Sequence, residues 1–189
     1  KYLVETCKVP PEHILVVTFT KAAAASMRER FCGLMGGERP PVTFGTFHAV
    51  FFQILKHAYG YTASAVAREE QKRQAALETA GRMGLDIPDQ AEFLKGVLGE
   101  ISYVKNEGIR PEEYVSRACP GGSFPQFFRE YGRRMRAQGL LDFDDMLVYC
   151  RELLMARKDI LAAWQRRYRY ILVDEFQDVN AMQYETVKL

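Results

Sequence analysis

Three short stretches of continuous apolarity break a chain that otherwise repeats with helical period. They are Ile14–Phe19 (I-L-V-V-T-F), Val42–Thr46, which follows Pro40-Pro41, and Tyr170–Val173 (Y-I-L-V). An unalternated, β-branched run of this length is the pattern of a strand covered on both faces, as in a parallel sheet flanked by helices. Thr20 is a plausible N-cap for an alanine-rich helix in which Ala23, Met27, Phe31 and Leu34 form the expected buried stripe, ended by Gly33, Gly36 and Gly37. A second helix, from about Phe47 to Ala58, carries a cleaner stripe of Phe47, Val50, Phe51, Ile54, Leu55 and Ala58, with His48 off it in the first turn.

From Gly60 the pattern changes, and no further strand run occurs before Tyr170. Ala76, Leu77, Ala80 and Met83 mark one helix, and Phe93, Leu94, Val97, Leu98, Ile101 and Val104 a stronger one, closed by N-E-G-I-R-P at Asn106–Pro111. Gly121-Gly122 introduce a helix from about Ser123 to Gln138, with Phe124, Phe127, Phe128, Tyr131 and Met135 inward. Its other face carries Arg129, Arg133 and Arg136, with Arg134 nearby, and reads either as a solvated face or as a surface for duplex DNA. Leu140–Met155 follows with Asp142 as N-cap and Phe143, Met146, Leu147, Cys150, Leu153 and Leu154 on one face. Trp164 packs in a helix that ends near Arg166, Arg167 and Arg169, charges favourable at a helix C-terminus.

Composition narrows the class only slightly. With 48% apolar and 26% charged residues in 189, the chain is an ordinary globular one with ample core-forming capacity. A net charge of +2 does not by itself argue for nucleic acid, so any basic surface must be local. There is no apolar run of membrane-spanning length and no signal-peptide layout, so no membrane partner is expected. Cys7, Cys32, Cys119 and Cys150 are too dispersed for a zinc site and fit reduced thiols in the cytoplasm.

The candidate chemistry sits at Tyr170–Asn180, Y-I-L-V-D-E-F-Q-D-V-N. Here an apolar run breaks into adjacent carboxylates, Asp174 and Glu175. Open α/β sheets bind ligands beyond the carboxyl ends of their strands, where these acids fall. One such acid can hold Mg²⁺ through water while its neighbour orients or deprotonates an attacking water. Taken alone, the pattern is equally that of a strand ending in solvated acids.

The eleven residues together resemble the Walker B segment, motif II, of the UvrD/Rep/PcrA-type superfamily 1 DNA helicases, in which D-E-F-Q-D is close to a signature. T-F-T-K-A-A-A-A-S-M at Thr18–Met27 resembles motif Ia of that family, departing from it at Ala22, where lysine is common, and at Ser26, where glutamate is usual. G-T-F-H at Gly45–His48 resembles motif Ib, and L-L-D-F-D-D-M-L at Leu140–Leu147 resembles motif Ic. The order Ia, Ib, Ic, II covers nearly the whole chain.

The resemblance implies an α/β fold, the P-loop NTPase (RecA-like) parallel sheet flanked by helices, with an all-helical inserted subdomain. Residues 1–60 and 139–189 would form motor subdomain 1A and residues 61–138 helical subdomain 1B. It further implies ATP and Mg²⁺ as cofactors, with Asp174 on the metal, Glu175 on the attacking water, and Gln177 relaying nucleotide state to the DNA site. Phe19 and Phe143 would meet DNA bases, with Thr18, Thr20, Thr46 and His48 around the phosphates. For Phe143 a core role is equally adequate, and Phe19 taken by itself reads as a core phenylalanine at a strand end. The implied partners are single-stranded DNA, a duplex junction and a second motor domain of the same chain, and the implied activity is 3′-to-5′ translocation. The chain contains no G-x-x-x-x-G-K-[ST] phosphate loop, begins at Lys1 and ends at Leu189 inside an expected helix, so it reads as an N-terminal fragment with negligible ATP turnover of its own. A truncated non-catalytic DNA-binding or docking module, and a piece of an AddA/RecB-type helicase–nuclease, are the competing readings. The compact insertion favours the Rep-like form over the latter.

Overall fold

The structure is a computed structural model describing residues 1–189. A short helix α1 (Tyr2–Glu5) leads to β1 (Ile14–Thr18), α2 (Lys21–Leu34), β2 (Thr43–Thr46) and α3 (Phe47–Tyr59). The middle of the chain forms α4 (Glu69–Arg82), α5 (Gln90–Glu107) and α6 (Phe124–Ala137). It then returns through α7 (Phe143–Ala156) and α8 (Lys158–Arg167) to β3 (Tyr170–Val173) and α9 (Ala181–Val187). The protein is therefore a mixed α/β chain with a small parallel sheet and mostly helices.

The sheet has the order β2-β1-β3, with β1 parallel to both neighbours. Leu15 and Val17 of β1 point into a core built with Phe47, Phe51 and Leu55 of α3 and Met146, Leu147, Cys150 and Leu154 of α7. The opposite face of the sheet carries a smaller cluster of Val9, Ile14 and Val42. A separate core lies among the middle helices: Ala75, Ala76 and Ala80 of α4 meet Val97 and Ile101 of α5 and Phe124, Phe127, Tyr131 and Met135 of α6. Alanines on α4 let the bulky aromatics of α6 approach closely, and each fully buried large side chain contributes on the order of 1.5–3 kcal/mol. Burial pushes the thiols of Cys119 and Cys150 up to about 11 and about 12, so both serve as small core groups.

The two chain crossings between these cores lie side by side. The Ala67 N–H donates to the Leu141 carbonyl at 2.9 Å, and the Leu141 N–H donates to the Ala65 carbonyl at 2.9 Å. This isolated parallel bridge of Val66 with Leu141 brings the start and end of the helical stretch together.

Three expectations change. Tyr170–Val173 is a strand, but not one covered on both faces: Tyr170, Ile171 and Leu172 are 40%, 38% and 45% exposed, because β3 is an edge strand without a further neighbour. Of the stripe expected on α2, Ala23, Met27 and Phe31 are half-buried and Leu34 is exposed, while Ala24 is the buried residue. That helix packs on one edge of the sheet and on Leu3 and Val4 of the N-terminal segment, which leaves most of its surface open. Leu98 and Phe128, expected inward, are half-buried at the margin of the helical core.

Candidate active site and nucleic-acid interface

All three strands point their carboxyl ends to one edge of the sheet, and the candidate residues gather there. Thr18, the last residue of β1, pairs in register with Thr46, the last of β2, and Val17 pairs with Val173 of β3. The Asp174 N–H donates to the Val17 carbonyl at 2.9 Å, extending the ladder one residue past β3 and fixing Asp174 beside the end of β1. Asp174 is half-buried; Glu175 is exposed.

Glu175 lies in the left-handed region, at φ 50° and ψ 47°, a conformation that costs a non-glycine residue roughly 1–2 kcal/mol. The kink turns the chain off the strand into a single 3₁₀ turn, Phe176–Asp178. Within it Gln177 Nε2 donates to Glu175 Oε2 at 2.5 Å, so the amide and the carboxylate are already in contact. Asn180 then caps α9, accepting from the Gln183 N–H at 2.8 Å. No group of three or more His, Cys, Asp or Glu side chains is arranged to hold a metal ion. An ion at Asp174 would therefore take most of its oxygens from water and a bound phosphate. Mg²⁺ is commonly held in this way, by one or two carboxylates with retained waters, and the hard carboxylate of Asp174 fits it.

The aromatic residues form a second patch at the same edge. Phe19, just beyond β1, is 36% exposed and packs against the buried Phe47 with ring centroids 5.7 Å apart. Phe143 is 56% exposed, so it does not belong to the core face of α7. Its ring instead meets His48 edge-on at 5.5 Å. His48 is half-buried, and that burial lowers its imidazole pKa below the ordinary value, against an opposing pull from Asp144. Thr20 and Thr46 are N-caps, accepting from Ala23 N–H at 3.0 Å and Ala49 N–H at 3.2 Å. Thr46 and Thr18 are themselves buried. The arginines on α6 are largely engaged with acids: Arg129 with Glu112, Arg133 with Glu130, and Arg134 with Glu78.

Sequence reasoning missed a polar junction behind these patches. Lys105, at the end of α5, is buried and lies 2.8 Å from Asp142 and 2.7 Å from Asp145 at the start of α7. Burial opposes its charge, yet the two carboxylates outweigh it and hold the ammonium well above the usual lysine range. Burial also acts on Asp142, but Lys105 prevails there and lowers that carboxyl, while Asp145 is raised by burial. A signal was present in the sequence: Lys105 falls four residues after Ile101 on the apolar stripe of α5, where a charge demands a partner.

A parallel α/β sheet that gathers an acidic pair and exposed aromatic rings at its carboxyl edge has the layout of a ligand-binding α/β domain. Its family is more specific: the chain belongs to the UvrD/REP helicase N-terminal domain family, which it matches over residues 1–189. It is 31% identical over 194 residues to the putative ATP-dependent DNA helicase YjcD of Bacillus subtilis (strain 168), covering 100% of this chain and 25% of that protein. It is 32% identical over 194 residues to the ATP-dependent DNA helicase Rep of Escherichia coli (strain K12), covering 100% of this chain and 28% of Rep. With the ATP-dependent DNA helicase UvrD1 of Mycobacterium tuberculosis (strain ATCC 25618 / H37Rv) the identity is 34% over 197 residues, 99% of this chain and 25% of UvrD1. The chain thus spans about a quarter of the length of these relatives. No helix is long and apolar enough to cross a membrane.

Proposed function

We propose that this chain is the N-terminal motor portion of an ATP-dependent DNA helicase that translocates 3′-to-5′ on single-stranded DNA. Residues 1–60 and 139–189 act as its RecA-like subdomain 1A and residues 61–138 as helical subdomain 1B. The observation that carries this reading is the juxtaposition of Asp174 and Glu175 with the carboxyl end of β1, where Phe19 emerges. Chemistry and grip thereby share one sheet edge.

Magnesium-bound ATP, when present, would supply the phosphoryl group, with the cation offsetting the phosphate charge and Asp174 offering a carboxylate to hold that cation. Asp174 holds the cation through water, and Glu175 orients the attacking water and accepts its proton. Gln177, already hydrogen-bonded to Glu175, senses the state of that carboxylate. Phe19 and Phe143 stack on DNA bases without regard to sequence, and the helix N-terminus at Thr46–His48 meets a phosphate. Phosphoryl transfer depends on positioning and charge neutralisation, so these residues without a lysine-bearing phosphate loop turn over ATP negligibly.

The test is Glu175→Gln in the full-length protein. DNA-stimulated ATP turnover falls by about 10²–10⁴-fold while nucleotide binding persists. Turnover equal to wild type overturns the reading.

A further inference from the structure

Asn180, which follows the acidic loop, and Asp144, which follows the aromatic Phe143, are joined by side-chain hydrogen bonds through Asn106 of the helical stretch. Asn180, which ends the Y-I-L-V-D-E-F-Q-D-V-N segment, donates from Nδ2 to Asn106 Oδ1 at 2.6 Å. Asn106, one residue before the end of α5, donates from its own Nδ2 to Asp144 Oδ1 at 2.8 Å. The same nitrogen donates to the Ser102 carbonyl at 2.9 Å, so both amide protons face acceptors and the amide orientation is fixed by its partners. Asp144 follows Phe143, whose ring rests on His48. Lys105, the neighbour of Asn106, clamps Asp142 and Asp145 on either side of the same helical turn.

We infer that Asn106 is a positioning residue that couples the nucleotide-responsive loop to the DNA-contacting start of α7. This deepens the proposed function and rests on it. The chemistry is specific to an amide at this site. Its oxygen must accept from Asn180 while its nitrogen donates to Asp144, and an aspartate would instead set a second negative charge against Asp144. A shift of the loop after Asp174-Glu175 moves Asn180, and Asn106 transmits it to the turn that carries Phe143. The helical stretch is thus part of the coupling path between the two patches, in addition to any contact it makes with DNA.

The experiment compares Asn106→Ala, Asn180→Ser and the double variant in the full-length protein. Serine at 180 retains a helix-capping oxygen for the Gln183 N–H but is too short to reach Asn106, so it cuts the link while keeping the cap. The readout is ATP turnover with and without oligothymidylate, together with the melting temperature. Each single variant lowers the fold-stimulation by DNA by between about twofold and thirtyfold, with basal turnover unchanged. The double variant is no worse than either single one, because both remove the same connection. Wild-type stimulation in both singles, or effects that multiply in the double, overturns the inference and leaves the helicase reading intact. Loss of basal turnover in parallel with stimulation in Asn180→Ser also overturns it, assigning the pair a merely structural role. Absence of DNA stimulation in the wild type removes the functional reading and this inference together.

Discussion

The sheet region and the helical stretch bury their apolar residues in opposite ways. Among α4, α5 and α6 the core is closed: Ala75, Ala76, Val97, Phe124 and Phe127 have no exposed surface. Around the sheet, β1 is enclosed but β3 leaves Tyr170, Ile171 and Leu172 open, with Phe19, Phe143 and Phe176 exposed near the candidate site. A helix completes its backbone hydrogen bonds internally and needs only one face covered. A strand needs neighbours on both edges and layers on both faces, so the sheet is where a lack of partners shows. Open apolar side chains therefore lie at the candidate edge and along the free strand, while those of the helical stretch, Tyr103 and Val115, stand outside its closed core.

The largest effect should come from the junction where the two regions meet. Lys105→Met leaves Asp142 and Asp145 buried without a cation and is expected to cost about 3–5 kcal/mol in urea unfolding. Adding Asp145→Asn should restore part of that loss. A matched pair of leucines tests the contrast directly. Leu147, with no exposed surface, should cost about 2–5 kcal/mol on truncation to alanine, and Leu172, 45% exposed, less than about 1 kcal/mol. Equal costs would mean that the edge strand is not as open as its exposure indicates.

Phe143→Ala separates function from packing. In the full-length protein it should weaken binding of single-stranded DNA by about 1–3 kcal/mol, with unfolding free energy changed by only a few tenths. The reverse result would return Phe143 to the core. The smallest effect concerns pH. Because the folded His48 holds its proton less readily than the unfolded one, its contribution to stability is present above the ordinary histidine value, about 6.5, and is lost as pH falls through the lowered folded value. A His48→Asn variant should lose less stability than wild type across that window, measured by melting at stepped pH.

Much of the fold was legible from local pattern. The strand at Ile14 and the strand at Tyr170 were each found within a residue of their observed ends, since continuous β-branched runs have few alternative structures. Thr20 and Asp142 were readable as N-caps because capping is decided within one helical turn. The buried stripe of α3 was equally plain. Less legible was which side of an element finds a partner. Periodicity identifies an apolar face but not what covers it, hence the errors on α2 and β3. For Phe143 the sequence left core and surface roles equally open, and only the packing of α7 exposed the ring.

By itself the sequence determined the local elements and their caps, the order of the motif-bearing segments and the acids that end β3. These depend on neighbours within a few residues, where sterics and hydrogen bonding act directly. Only the tertiary structure decided that Asp174 lies beside the end of β1, that Phe143 meets His48, and that Asn106 joins Asn180 to Asp144. Asn106 and Asp144 are 38 positions apart along the sequence, and Asn106 and Asn180 are 74 apart. Directional bonds at that separation depend on how whole elements pack, and no local period in the chain encodes them.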